Sequence, residues 1–359
     1  ADFQEQGMEG STPNFDFPAF LDFLVENNQN FLRFWAWEHA TWMPFLDKEK
    51  KVRNTPLCYP RTGPGDALDG QSKFDVNQFN PDYFNRLRER VFAAREKGIY
   101  VSVMLFQGLS VAQPKNEKID SQKGNPWEGH PFNKKNNING IDGDKDGNGN
   151  GSEIHTLIDP RITQLQENYV KQMIETLNGY DNLIWEIGNA CGDPSLEWQN
   201  HMIQFIRDYE KGKPFQHPIW ISDPLLNTDS NANRTKALFD SPADAISSPG
   251  LNGDEKKLFD FPQKKVIMAR NEIYHSDAPV IDHTWVWKCF VRGFNPIVLD
   301  PYRDIRVQSP DKPVPEYDRI RKALGQTLLF SKTIQLEKMI PHNELCSTGF
   351  CLANPGQEY

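Results

Sequence analysis

The chain has 359 residues, of which 38% are hydrophobic and 12% aromatic, and its formal net charge at pH 7 is −9. This length suits one large domain, and the apolar content supports a globular core. The negative charge argues against nucleic acid as a partner, because nucleic-acid binding needs clustered lysine and arginine. No run of about 18 apolar residues occurs, so we expect no membrane-spanning segment.

Strand-like and helix-like segments alternate along the chain. Apolar runs predict strands at 30–38, 99–106, 182–190, 218–223, 243–248, 265–272 and 295–300. Apolar residues at helical spacing, Pro near the start and Gly98 after the end predict helices at 17–26, 80–98, 160–177, after Asp193-Pro194, and at 316–333. This alternation indicates an α/β protein with a parallel sheet, most simply a (β/α)8 TIM barrel.

The two ends of the chain do not follow this alternation of strands and helices. Residues 1–16 are polar and irregular in pattern, so the first barrel strand is expected to be missing from this chain. Residues 1–340 are expected to form the barrel, with a long insertion at 107–157 that is rich in Gly, Asn, Asp and Lys. Residues 341–359 resemble the start of a C-terminal β module.

The stretch 182–190 predicts a buried strand that ends in the polar turn Gly188-Asn189-Ala190. Barrel enzymes of this kind place their catalytic groups where strands end. The stretch resembles the fourth strand of clan A retaining glycoside hydrolases, the cellulase-like superfamily, which ends in Asn-Glu with the Glu as general acid/base. Asn189 matches that pattern, whereas Ala190 stands where the acid/base is expected.

The same resemblance implies the other catalytic groups. Retaining glycosidases use two carboxyl groups about 5–5.5 Å apart, one to protonate the leaving oxygen and one to attack the anomeric carbon. The nucleophile belongs at the end of the seventh strand, where Glu272 falls. Arg33 matches the arginine that keeps the nucleophile ionised by charge pairing. Glu186, inside the fourth strand, is interpreted as a hydrogen-bonded interior carboxylate.

Further segments resemble a cellulase-like subgroup, and side chains near strand ends are candidates for a sugar-binding cleft. The similar segments are 130–133, 136–140, 153–157, 287–293 and 351–356. Aromatic faces stack on sugar rings, and polar edges bind hydroxyl groups. The candidate substrate-binding residues are Arg33, Trp35, Trp37, Glu38, His39, Trp127, His130, Asp282, His283 and Trp285. For each tryptophan, a place in the core is at least as good an interpretation.

Residues 142–153 match the twelve-residue calcium loop at each diagnostic position. Side-chain oxygens occur at positions 1, 3, 5, 9 and 12, a backbone carbonyl serves at position 7, and Gly147 at position 6 makes the sharp turn. The predicted Ca²⁺ ligands are Asp142, Asp144, Asp146, Asn148, Asn150 and Glu153. A flexible linker is the alternative; we predict a structural calcium ion that fixes the long loop over the cleft.

With these features, the resemblance implies a secreted or periplasmic retaining β-glycoside hydrolase that acts on a poly- or oligosaccharide. Its acid/base is replaced by Ala190, most simply through a deliberate Glu→Ala change at this position. One alternative is a natural carbohydrate-binding pseudoenzyme of the same fold. Another is a working hydrolase that uses a different acid, such as Glu38 or Asp223. The five cysteines fit no zinc spacing, and Cys346 and Cys351 could pair across a hairpin if the protein is secreted.

Overall fold

The computed structural model describes residues 5–8, 15–42, 51–111, 124–192, 194–223, 231–248, 251, 254, 265–271, 282–300, 302 and 315–357. The helices are α1 Phe17–Glu26, α2 Pro81–Glu96, α3 Pro160–Leu177, α4 Ser195–Glu210, α5 Asn231–Asp240, α6 His283–Val291 and α7 Pro315–Ser331. The strands are β1 Glu5–Met8, β2 Phe31–Phe34, β3 Thr41–Trp42, β4 Val52–Thr55, β5 Arg61–Asp66, β6 Ser72–Phe74, β7 Tyr100–Gln107, β8 Leu183–Asn189, β9 Ile219–Ser222, β10 Ala245–Ser247, β11 Val266–Asn271, β12 Asn295–Val298, β13 Ile340–Pro341 and β14 Leu352–Ala353.

The chain divides into two compact units. The first comprises Ala1–Pro18 and Phe31–Thr228, and the second comprises Ala19–Asn30 and Asp229–Tyr359. In the first unit, β2, β7, β8 and β9 pair in that order, all parallel. Helices α2, α3 and α4 follow in the predicted alternation, which places β8 inside the sheet with a paired strand on each side.

The second unit contains three parallel strands, β10, β11 and β12. Its core joins Ala269 of β11 to Trp285 and Cys289 of α6 and to Ile320 of α7. The short strands β13 and β14 pair antiparallel near the end of the described residues. The full eight-stranded barrel and the C-terminal β module remain predictions.

The predicted helix starts are borne out where the structure describes them. The side chain of Asn80 accepts a hydrogen bond from the backbone N–H of Asp82 at 3.1 Å, and Asp159 accepts one from that of Arg161 at 2.9 Å. Each cap satisfies a backbone donor that the first helical turn leaves without a partner. The third predicted cap, Asp193, lies outside the described residues.

Several local expectations differ from the structure. Residues 5–8 form β1, which pairs antiparallel with β4, so the prediction that residues 1–16 are irregular was wrong. The partner strand β4 buries Val52 and Asn54 at alternate positions, and only one of these two residues is apolar, so the sequence pattern of the ribbon is weak. The predicted strand at 30–38 is shorter, because regular pairing with β7 ends at Phe34. All five cysteines are free thiols.

Among the described residues, no helix combines the length and the apolarity that crossing a membrane requires.

Candidate functional site

The C-terminal end of β8 carries the two residues that the sequence singles out. Asn189 is the last residue of the strand, opposite Gln107 of β7 in the parallel register. Ala190 follows in the left-handed region at φ +54° and is 7% exposed. The neighbouring backbone approaches closely, because a Cβ atom added to Gly108 would lie 1.8 Å from the carbonyl oxygen of Ala190. Only glycine fits at position 108 without moving this turn.

A buried ion pair lies farther down the same strands. Arg33 donates from Nε to Glu186 Oε2 at 2.7 Å and from Nη2 to Oε1 at 2.5 Å. Ser102 and Ser222 also donate to this carboxylate, at 3.3 and 3.0 Å. Glu186 is fully buried, so its interpretation as an interior hydrogen-bonded carboxylate is confirmed. Arg33, which the sequence assigns to the nucleophile, forms a bidentate contact with Glu186, and its pairing with the nucleophile stays a prediction.

Glu38 lies just beyond β2 and accepts hydrogen bonds from distant parts of the chain. Its Oε2 atom accepts from the backbone N–H of Gln107 at 2.7 Å and lies 3.2 Å from His155 Nε2. His130 Nε2 lies 3.6 Å from Oε1, beyond hydrogen-bonding distance. Burial alone would raise the pKa of Glu38, but His155 and His130 outweigh it and lower the pKa from 4.5 to about 2. The carboxylate is therefore ionised at neutral pH.

His39 and His130 are buried beside this carboxylate. His39 Nδ1 lies 2.9 Å from the hydroxyl of Ser110, and His130 Nδ1 accepts a hydrogen bond from the backbone N–H of Phe132. Burial, with a smaller contribution from His130, lowers the pKa of His39 from 6.5 to about 3. Burial also lowers the pKa of His130. Burial thus favours the neutral form of both imidazoles.

The tryptophans predicted for the cleft are more buried than a sugar platform requires. Trp35 and Trp37 are 7% and 8% exposed and pack around Met104, with their ring centroids 5.7 Å apart. Trp127 belongs to a core cluster, because glycines at 143 and 151 leave room for its indole ring. These positions differ from an open stacking surface, and substrate contact by these rings stays a prediction.

The candidates of the second unit lie at the start of α6. Asp282 caps this helix through the backbone N–H of Thr284, and His283 is its first residue. Trp285 is 3% exposed and packs in the core of the second unit. The segment thus starts a helix, and its role in substrate binding stays a prediction. Glu272, the predicted nucleophile, lies outside the described residues.

The predicted calcium loop holds several of its carboxylates together. Oxygen atoms of Asp144, Asp146 and Glu153 lie within 4.8 Å of one another. Gly147 has φ +71°, which matches the sharp turn expected at position 6. The loop is closed by hydrogen bonds from the backbone N–H groups of residues 146 and 149 to Glu153 and Asp144.

The loop also leaves oxygens available for an ion. Asp144 Oδ1 and Glu153 Oε2 are buried and have no hydrogen-bond partner. Buried oxygens in this state cost free energy unless a cation or donor reaches them. A polar cavity of about 160 Å³ is lined by Asp142 and Asp144, but also by Lys145 and Arg161, and it does not reach Glu153. The oxygen-rich donor set fits calcium, a hard cation.

The remaining predicted ligands stand at the rim of this cluster. Asp142 pairs with Lys134 at 2.9 Å and lies outside the group of three. Asn148 and Asn150 contribute backbone N–H groups, which donate to Asp146 Oδ1 at 2.9 Å and to Asn148 Oδ1 at 2.8 Å. Binding as predicted requires Asp142 to leave Lys134.

His155 and Gln107 complete the surroundings of Glu38, although neither was predicted as a site residue. His155 is separated from Glu38 by 117 residues, and its imidazole is completely buried. No spacing rule joins residues so far apart in the chain. Two signals were available for His155: its position two residues after the last predicted calcium ligand, and its place in the segment 153–157 that resembles the cellulase-like subgroup.

The family of the chain follows from comparison with known proteins. Residues 33–224, more than half of the chain, match the family described as a domain of unknown function (DUF6298). The chain belongs to this family. The matched range begins within β2 and contains β7, β8, β9 and the predicted calcium loop. No curated protein matches the chain.

Solved structures with a similar fold are glycoside hydrolases. The endo-β-1,4-mannanase from Thermotoga petrophila is 14% identical, with 88% of this chain and 74% of that chain covered, at a TM-score of 0.50. A glycoside hydrolase family 5 protein from Bacteroides vulgatus is 11% identical, with 92% and 67% covered, at a TM-score of 0.52. Identity this low shows the fold alone. The prediction of a glycoside-hydrolase-like fold with parallel strands and flanking helices is confirmed.

Replacing Glu186 tests the buried ion pair. Glu186→Ala removes the bidentate partner of Arg33, and we expect the free energy of unfolding to fall by about 3–5 kcal/mol, the usual cost of breaking a buried ion pair by removing one partner. Urea unfolding measures this loss. The matched control is Glu175→Ala, whose carboxylate pairs with Lys213 at the surface and should contribute less than about 1 kcal/mol. Equal losses in the two variants would contradict the assignment.

The lowered pKa of His39 predicts acid lability. Because the folded-state pKa lies below the unfolded value of 6.5, the unfolded chain takes up a proton first as the pH falls. The contribution of the neutral His39 side chain to the free energy of unfolding is fully present above pH 6.5 and is lost as the pH falls toward 3. His39→Gln should reduce the loss between pH 6.5 and 5 by roughly 2 kcal/mol, measured by urea unfolding. The control His201→Gln, at a partly exposed position, should keep the wild-type slope; an unchanged slope in His39→Gln would refute the prediction.

Proposed function

We propose that this protein is a carbohydrate-binding glycoside hydrolase of the retaining, β-specific type that lacks its acid/base. The observation that carries the proposal is Ala190, which directly follows Asn189 at the C-terminal end of β8. In barrels of this class that end of a strand carries catalytic groups. A sheet of parallel strands like that of family 5 hydrolases supports the same assignment.

The proposed nucleophile is Glu272, the residue after the end of β11 in the sequence. With a nucleophile but no acid, the protein would bind its sugar and hydrolyse natural glycosides very slowly. Protonation of the leaving group contributes roughly 10²–10⁴-fold to the rate of such reactions. An aryl glycoside with a good leaving group needs little protonation and would still react.

Glu38 is a poor replacement for the missing acid. Its pKa of about 2 means that it carries no proton to donate at neutral pH. One of its oxygens already accepts hydrogen bonds from Gln107 and faces His155. Asp223, the other carboxyl group considered, is 1% exposed just beyond β9. These observations favour a protein without a working acid over one with a relocated acid.

A second candidate function is carbohydrate binding without catalysis, by a natural pseudoenzyme. The left-handed backbone of Ala190 and the contact of Gly108 with its carbonyl group favour this candidate, because they keep a well-packed turn that needs no carboxylate. The two candidates share a sugar-binding site and differ only in whether chemistry can be restored.

We expect Ala190→Glu to restore hydrolysis. A left-handed conformation is no more strained for Glu than for Ala, so the fold should tolerate the change. Activity on a panel of β-linked oligosaccharides, including β-1,4-mannan fragments, should rise by roughly 10²–10⁴-fold over the wild type. Product release should be followed by chromatography, with thermal unfolding as the check on folding.

Two controls make this test specific. Ala190→Gln has the same size as Glu but cannot transfer the proton, so it should stay inactive. In the Ala190→Glu background, Glu272→Gln should abolish the recovered activity. If folded Ala190→Glu stays inactive on every β-glycoside that the wild type binds, the pseudoenzyme function replaces the hydrolase.

We also propose a structural calcium ion in the loop at residues 142–153, bound by the six predicted ligands. Asp142 would exchange Lys134 for the ion. We further propose a secreted or periplasmic location, where calcium modules with Kd values of roughly 10⁻⁴–10⁻³ M are used.

Calcium should stabilise the folded chain. A ligand that binds only the folded state contributes about 2.7 kcal/mol at 100 times its Kd. The melting temperature should therefore rise with calcium and fall with chelator, and Asp144→Asn or Glu153→Gln should abolish both changes. Asp208→Asn, an exposed aspartate of α4, is the matched control and should respond as the wild type. A melting temperature that does not change at millimolar calcium would refute the proposed calcium site.

A further inference from the structure

One short turn carries groups from both proposed sites. The 3₁₀ turn Ser152–His155 contains Glu153, the last predicted calcium ligand, and His155, which faces Glu38 at 3.2 Å. Glu153 Oε2 is buried without a partner, whereas its Oε1 accepts from the backbone N–H of Asp146. An ion bound to both oxygens of Glu153 would therefore fix the turn from which His155 projects.

The turn is rigid enough to transmit such a change. Ile154 is buried in the core, and its carbonyl oxygen accepts a hydrogen bond from Gln166 at 2.7 Å. Gln166 in turn accepts one from the indole N–H of Trp198. The ring centroid of His155 lies 4.9 Å from that of Trp198. Packed side chains of this kind move together with their backbone.

Glu38 extends the contact to the strand ends. Its Oε2 atom, which faces His155, also accepts a hydrogen bond from the backbone N–H of Gln107. Gln107 is the register partner of Asn189, and the next residue, Gly108, packs against Ala190. A continuous set of contacts thus leads from Glu153 to the residues that we assign to sugar binding.

We propose that calcium binding at the loop is coupled to carbohydrate binding at the strand ends through His155 and Glu38. This coupling rests on the proposed function and on the proposed calcium site, and it adds regulation of the sugar site by the metal. The ion would relieve the mutual repulsion of the three carboxylates and so reduce the motion of a turn that is already packed. The contacts of His155 with Glu38, and of Glu38 with the end of β7 beside Asn189, would then be more persistent.

The first test measures the coupling without any sugar. Hydrogen exchange of the peptide that contains the Gln107 amide should slow at least about fivefold when calcium is added to the full chain, the lower end of usual coupling energies. Calcium binding is measured in parallel by titration calorimetry. His155→Gln should still bind calcium but lose the slowing. Glu38→Gln, which keeps the side-chain shape, should lose it as well, and His201→Gln should behave as the wild type.

The second test uses a β-linked oligosaccharide that the wild type binds. Its Kd should fall about 5–150-fold when calcium is added. In His155→Gln, the Kd values with and without calcium should be nearly equal. If calcium binds but the hydrogen exchange of the peptide that contains Gln107 does not change, the coupling is refuted and the proposed sugar site is unaffected. Absence of calcium binding would overturn the coupling together with the metal site. Slowed exchange in a chain that binds no sugar would refute the proposed function and the coupling to it.

Discussion

The sheet of the first unit is built around one buried carboxylate. Glu186 of β8 is bound by Arg33 from β2, Ser102 from β7 and Ser222 from β9, so each of the four parallel strands contributes one side chain. The guanidinium also lies over the rings of Trp35 and Trp220, at 5.1 and 5.0 Å. A charge in the interior is stable only with such complete pairing. The pairing fixes the side-by-side order of the strands whose ends carry the candidate site.

The strand ends are positioned by close backbone approach as well as by side chains. Gly108 lets the turn after β7 lie against the carbonyl group of Ala190, and Gly188 lies close to the sulfur of Cys191. Glu38 joins the turn after β2 to the end of β7 through the amide of Gln107. Three neighbouring strand ends are therefore connected before any ligand binds. Such preorganisation is what a binding or catalytic site requires.

Much of the fold could be predicted from the sequence because its parallel strands are apolar and its helices begin with clear caps. The sequence pattern places α1 at Phe17–Glu26 and α3 at Pro160–Leu177, as the structure has them. The strands β3 to β6 were not predicted, because they are two to six residues long and mostly polar, which leaves little apolar periodicity in the sequence. Helix α5 has only ten residues, and the sequence pattern did not predict it.

The candidate site was only partly predictable. Asn189, Ala190 and the loop at 142–153 are contiguous motifs, and local spacing reveals them. The partners of Arg33 and Glu38 come from residues 153 and 117 positions away, and no local pattern encodes such contacts. The burial of Trp127 depends on two glycines that make space for its ring, and that space is visible only in three dimensions. Contiguous motifs therefore reveal some residues of the site, whereas the contacts between distant residues are visible only in the structure.

The central claim is that a β-linked sugar binds where β7 and β8 end. The most direct measurement is a crystal structure of the protein with a β-linked oligosaccharide that it binds in solution. We expect a pyranose ring within hydrogen-bonding distance of the Asn189 side chain and next to the Ala190 methyl group. A sugar bound away from these strand ends, or no binding by any β-linked oligosaccharide, would contradict the account.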